Sequence, residues 1–161
     1  MNKILEIGCG KFRIAGTFIA IDINEDSECD ILADAHNLPF KSGIFTKVVA
    51  YEVMEHLKNP SRVLSEIQRV LIPHGHFEFS IPNAMYWRVI ARWIIEEKAS
   101  VFAEHINCWR LPEIQNLLRF NGFRILRYWF GGFPRHHPTS ILMNILPRIT
   151  RHSLFIEAVC D

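Results

Sequence analysis

Short apolar runs separated by turn residues dominate the first half of the chain. Residues 3–7 form one run and lead into Gly8-Cys9-Gly10. Residues 18–23 form a second that carries Asp22, residues 29–34 read as a third, and residues 48–51 make the fourth. Their apolar character is continuous, which marks strands covered on both faces of a parallel sheet. Asn59-Pro60-Ser61 then opens a helix, with Val63, Leu64, Ile67, Val70 and Leu71 recurring at helical spacing. Ile72-Pro73-His74-Gly75 is expected to stop it, and residues 76–81 to form the fifth strand. Past the Pro82-Asn83 turn, residues 84–98 fit a helix whose broad stripe holds Trp87, Ile90 and Ile94, with Tyr86 and Trp93 beside it.

Pro112 opens the next helix at a permitted first-turn position, with Ile114, Leu117 and Leu118 on its buried side and Asn121-Gly122 at its close. Residues 123–130 form the sixth strand. A Gly-, Pro- and His-containing segment at 131–138, a short helical candidate at 140–146 and a last strand at 153–160 complete the series. Strands alternating with helices predict an α/β fold built on a mostly parallel sheet. Periodicity alone leaves open whether the last strand returns parallel or antiparallel.

Composition narrows the picture. The 161 residues, 49% of them hydrophobic, suffice for one domain with a sizeable core, taken as 1–161. Lys and Arg number 18 against 17 Asp and Glu, with no sustained basic block, so nucleic-acid binding has little support. Cys9, Cys29, Cys108 and Cys160 show no paired spacing, and no leader segment is evident. Free thiols in a reducing, cytoplasmic setting are expected. No apolar run is long enough to span a bilayer.

Candidate chemistry gathers after the first strand. Two glycines, Gly8 and Gly10, let the backbone approach a ligand there. A dinucleotide fingerprint would place a third glycine where Arg13 stands and an acid roughly 20 residues after the first glycine. Asp22 comes only 14 later. A dinucleotide-dependent oxidoreductase is therefore the weaker reading. Glu6, Asp22 and Asp34 fall at or near the C-terminal ends of the first three strands, where open α/β sheets hold ligands. A strand-tip acid can accept both hydroxyls of a ribose diol, and another can receive an exocyclic amine.

The run 5–83 resembles the class I S-adenosylmethionine-dependent methyltransferases. The likeness is to the small-molecule branch that includes ubiquinone and menaquinone biosynthesis enzymes. It is carried by Leu5-Glu6-Ile7-Gly8-Cys9-Gly10, Ile21-Asp22-Ile23, Ala33-Asp34-Ala35-His36-Asn37-Leu38-Pro39-Phe40 and Val53-Met54-Glu55-His56-Leu57, and it continues through residues 64–71. The resemblance implies a Rossmann-like, seven-stranded sheet with an antiparallel last strand between the fifth and sixth, and S-adenosyl-L-methionine as cofactor. It implies Gly8, Cys9 and Gly10 against the methionine part with Glu6 beneath that turn, and Asp22 with Ile23 at the ribose. It places Asp34 and the Ala35 backbone at the adenine, and Tyr51 and Glu52 near the methionine tail and the transferring methyl. His56, Tyr51 and His105 are the catalytic candidates, the two histidines because a neutral imidazole is available near pH 7.

The chain departs from the family in several places. Phe45-Thr46 replaces Phe-Asp, Pro73-His74-Gly75 replaces Pro-Gly-Gly, and little room is left for helices after the first and second strands. Insertions around 84–110 and 131–146 would cap an unidentified small-molecule methyl acceptor, with Tyr86, Trp87, Trp93, Phe102 and Trp109 as pocket or packing aromatics. With cover missing from one sheet face, an exposed apolar patch and a homodimer or unidentified protein partner are expected. The alternative to an enzyme is a catalytically weak or inactive cofactor-binding regulatory subunit. A membrane-surface role for Arg88 and Arg92 is opposed by Glu96 and Glu97. A metal set drawn from His105, Cys108, His136 and His137 lacks a fixed geometry, so no metal is expected.

Overall fold

A computed structural model describes residues 3–96, 104–131 and 146–160. Seven strands form one sheet: β1 (Ile4–Ile7), β2 (Ile19–Asp22), β3 (Ile31–Leu32), β4 (Phe45–Tyr51), β5 (Leu71–Pro82), β6 (Phe123–Gly131) and β7 (Ser153–Cys160). Their order is β3-β2-β1-β4-β5-β7-β6. The first five run parallel, and β7 inserts antiparallel between β5 and β6, as the resemblance implied. Four helices are described: α1 (Pro60–Val70), α2 (Trp87–Glu96), α3 (Leu111–Phe120) and the short α4 (Pro147–Thr150). None is long and apolar enough to cross a membrane.

Helix α1 begins where the sequence says it should. The Asn59 side chain accepts the Arg62 N–H and Pro60 takes the first turn, where no N–H partner is needed. Its Val63, Leu64, Ile67 and Val70, with Ile114 and Leu118 of α3, bury one sheet face. The sheet supplies Leu5, Ile7, Ile21, Val48, Ala50, Phe77, Phe79, Leu154, Ile156 and Ala158 to that core. Burying each of the two phenylalanines stabilises by about 2–3 kcal/mol.

Several boundaries differ from the sequence expectation. Strand β5 starts at Leu71, directly after α1, because Leu71 already pairs with Phe45 across an irregularity in β4. The Pro73-His74-Gly75 turn thus lies within the strand, with His74 at a left-handed φ of 60°. β3 shrinks to two residues. Helix α2 starts at Trp87, three residues late, and its stripe is turned over: Val89 is buried, while Trp87, Ile94 and Ile95 are exposed. Of the candidate segments at 131–138 and 140–146, only Gly131, in β6, and Leu146 are described; residues 97–103, including Phe102, also lie outside the described residues.

The second sheet face carries charged as well as apolar side chains among the described residues. The loops joining β1 to β2 and β2 to β3 contain turns and no helix. Yet the strand positions on that side include Lys47, Tyr51, His76, Glu78, Arg127 and Glu157. Lys47 pairs with Glu78 at 2.6 Å, the Tyr51 hydroxyl donates to Glu78, and Glu157 meets His76 at 3.0 Å and Arg127 beside it. Trp129 stacks on Phe155 with ring centroids 5.4 Å apart. Each such pair contributes only about 0.2–1 kcal/mol.

Candidate cofactor and acceptor site

The tip of β1 turns on Gly8, whose φ is 74° and whose N–H donates to the Ile21 carbonyl at 2.8 Å. A Cβ there would sit 2.4 Å from Val53 Cγ2, so the close approach of the two strand tips requires glycine. Below the turn, the buried Glu6 carboxylate accepts the Ile14 N–H and the Thr17 hydroxyl. One side chain thereby organises the turn that replaces a crossover helix. Cys9 is buried beside Asp22 and Glu6; burial, then those charges, push its thiol up to about 11, leaving it an inert packing group.

Asp22 ends β2 and is fixed by two backbone donors, Gly10 N–H at 2.8 Å and Asn24 N–H at 2.9 Å, one on each oxygen. A carboxylate has about four acceptor sites, so each oxygen keeps one for a ligand hydroxyl. Asp34, past β3, accepts the His36 N–H and the His36 ring through Oδ1 alone. The backbone donor first, then the imidazole, hold its carboxyl below the usual range. His36 Nε2 accepts the Asn59 N–H, which assigns the ring proton to Nδ1, facing Asp34. His36 is a member of the motif to which sequence reasoning gave no role. Farther along the same loop, buried Glu66 of α1 accepts the Leu38 N–H while Arg69 donates to the Leu38 and Phe40 carbonyls.

These groups border a cavity of about 740 Å³, with Gly8, Gly10, Asp22, Ile23, Asp34 and Ala35 along one side. Glu52, His56 and Glu104 contribute elsewhere to its lining. Glu52 holds a left-handed φ of 54°, and the Ser80 hydroxyl clamps it, donating to Glu52 Oε1 at 2.6 Å. A backbone strained at the mouth of a cavity is a feature the sequence did not signal.

Tyr51 is a correction. It is not among the lining residues; its hydroxyl serves Glu78, and its ring packs against Phe155 on the other sheet face. Burial, then the Glu78 hydrogen bond and charge, raise its pKa, so the hydroxyl keeps its proton near neutral pH. Tyr86, Trp87, Trp93 and Trp109 also stand outside the lining, and Trp109 packs against the core.

His56 and His105 do come together, their rings edge to face with centroids 4.8 Å apart. The loop carrying His105 is strapped to the 3-10 turn Met54–His56. Ile106 and Asn107 N–H groups donate to the Glu55 carbonyl at 2.9 and 3.0 Å, and the Asn107 side chain donates to Leu57 O at 2.7 Å. Burial, then the neighbouring His56, lower the His105 pKa and keep it neutral near pH 7. Beside them lies Glu55, only 1% exposed, with no hydrogen-bond partner on either carboxylate oxygen. Burial, outweighing its other surroundings, pushes that carboxyl up to about 8. Sequence reasoning passed over Glu55. Cys108 is exposed and does not join this group, and His136 and His137 lie outside the described residues.

Comparison with known proteins bears on the whole arrangement. A family model described as a methyltransferase domain matches residues 2–128. An uncharacterised protein of Methanocaldococcus jannaschii is 30% identical over 105 residues, 58% of this chain and 40% of that protein. The match thus spans less than half of the relative's length. Among solved structures, one similar chain comes from the Haloferax volcanii complex between the Trm112 methyltransferase activator and a methyltransferase. It aligns with a TM-score of 0.72 at 16% identity, over 99% of this chain and 83% of that one. A SAM-dependent methyltransferase from Thermotoga maritima gives 0.70 at 18% identity, over 100% and 83%. At such identities the likeness is one of fold.

Proposed function

The chain belongs to the methyltransferase-domain family, with S-adenosyl-L-methionine as its cofactor, and on that footing we propose that it methylates a small-molecule acceptor by direct displacement. The observation that carries this reading is the cavity bounded at once by the Gly8–Gly10 turn and by Asp22 and Asp34, each with acceptor capacity left over. Asp22 accepts the ribose diol, Asp34 Oδ2 and the Ala35 backbone meet the adenine edge, and the bare Gly8-Cys9-Gly10 turn packs against the methionine tail. Glu6 supports that turn from below, Ile23 flanks the ribose, and Glu52 marks the end where the methyl lies.

When bound, the cofactor supplies an already activated methyl group on its sulfonium. The chain's task is then to align an acceptor, exclude water and remove a proton where the acceptor carries one. His56 is the nearest candidate base because it lines the cavity, and His105 supports it through the ring contact. Tyr51 has no part in this step. A second copy of the chain or another protein is proposed to cover the end of the sheet where the connecting helices are replaced by turns. Phe12, Phe18, Ile23 and Leu32 stand exposed there.

Calorimetric titration with the demethylated product nucleoside tests the cofactor site. Asp22→Ala should weaken binding by about 1.5–3 kcal/mol, roughly 10- to 100-fold, with the fold intact by circular dichroism. Equal affinity in wild type and variant would reject the ribose placement. A panel of phenol, amine and carboxylate acceptors, assayed for product nucleoside, separates enzyme from regulatory subunit. Binding without turnover across the panel would favour the latter.

A further inference from the structure

We propose that Glu55, His56 and His105 bind a divalent first-row transition-metal ion beside the cofactor cavity. One ligand atom from each lies within 4.8 Å of the other two. A carboxyl that is 1% exposed and has no donor on either oxygen is costly to bury in its charged form, and a cation beside it would offset that cost.

The orientation of His56 is the second observation. Its Nδ1 faces the Glu104 carbonyl at 3.2 Å, and a carbonyl only accepts, so Nδ1 carries the proton. In the neutral ring Nε2 then presents a lone pair, and it stands 3.9 Å from Glu55 Oε1, beyond hydrogen-bond reach. At 3.9 Å the gap is too wide for a proton shared between Glu55 and Nε2, and a metal ion can bridge it. An imidazole anchored by a carbonyl on one nitrogen, with the other nitrogen directed at a carboxylate, is the usual posture of a metal-bound histidine. His105 adds the third group on a loop tied to the same turn by the Ile106, Asn107 and Leu57 hydrogen bonds.

Around an ion with bonds of about 2.1 Å, tetrahedral ligands lie about 3.4 Å apart, so the three side chains need to close by roughly 1 Å. Two imidazoles and one carboxylate suit zinc and its neighbours better than magnesium or calcium. Three protein ligands leave a coordination position, and His56 and Glu104 both line the cavity. Resting on the methyltransferase reading, that position takes an oxygen of the acceptor. With the ion bound, it would replace His56 as the means of ionising the acceptor: it would lower the pKa of a bound hydroxyl, whose proton passes to solvent water, while the two imidazoles hold the ion.

The test uses the full chain after dialysis against a chelator. Zinc is titrated by calorimetry, and cobalt(II) by visible absorption, whose intensity reports four-coordinate binding. One ion per chain is expected, with affinity falling roughly 10- to 100-fold or more in Glu55→Gln and in His105→Ala. Glu55→Gln is nearly isosteric and removes a buried charge, so it keeps the test meaningful if His105→Ala disturbs its loop. No saturable binding to folded wild type, or unchanged binding in both folded variants, would overturn the site. Product-nucleoside binding is measured separately in chelator. Its loss would sink the cofactor reading and leave the metal result standing.

Discussion

Glu55 is where pH acts on this molecule most directly. Its proton is retained up to about pH 8 in the fold, chiefly because the charged form is buried, whereas an unfolded chain releases it near 4.5. The stability it confers is therefore complete below about pH 4.5 and is lost as pH rises through 8, by an amount on the order of 5 kcal/mol. In chelator-containing buffer the Tm should fall between pH 5 and 9, and Glu55→Gln should remove most of that slope. A wild-type Tm that stays flat, or a variant with the same slope, would count against the buried, unpaired carboxyl. At this scale the sequence was legible where residue type and backbone demand coincide. Gly8 was visible because strand tips meeting a ligand need bare backbone, and Asp22 and Asp34 because acids ending adjacent parallel strands share one edge. Glu55 was hidden because burial of a polar residue in a three-residue turn leaves no periodic trace. Tyr51 was misjudged for a simpler reason: strand alternation puts it with Lys47 and Val49, opposite Val48 and Ala50.

Among the elements, those with chemical punctuation were the easiest to place. The Asn59-Pro60 cap fixed the start of α1, and Pro112 that of α3 to within one residue. The β4–β5 pairing was harder, because Pro73 reads as a stop yet sits in a strand whose turn residues are absorbed locally. His74 pays for that turn with a left-handed backbone that glycine would adopt freely. The side chain is exposed, so His74→Gly should stabilise by about 0.5–1 kcal/mol, the left-handed cost less the added unfolded-state entropy. Urea denaturation with an unchanged m-value would show it, and a destabilised variant would mean the imidazole does more than occupy the turn. The turned-over stripe of α2 has a different cause: apolar residues on nearly every side gave a period without a direction.

For the whole molecule, the sheet order was legible only through the family resemblance, since periodicity could not choose the direction of β7. The second face was foreseen in part. The short loops after β1 and β2 could be counted, but the polarity of the face could not, because Lys47, Glu78 and Glu157 matter only once the register sets them side by side. At the β2–β3 end, Phe12, Phe18, Ile23 and Leu32 expose apolar surface that a partner could cover. Sedimentation velocity should show a concentration-dependent approach to a dimer that substitution of Phe12 and Ile23 by Ser weakens. A single monomer across a wide micromolar range would eliminate the second copy as occupant. The position of β7 carries one more consequence, in the order of events during synthesis. The last strand in the chain fills a central slot, so β5 and β6 leave the ribosome as neighbours that have no common ladder. Until residues 153–160 emerge, each keeps an unpaired edge, and Leu154, Ile156 and Ala158 are missing from the core. Closure of the sheet is thus a late, long-range step, and the nascent chain depends on being kept from aggregating until that strand arrives.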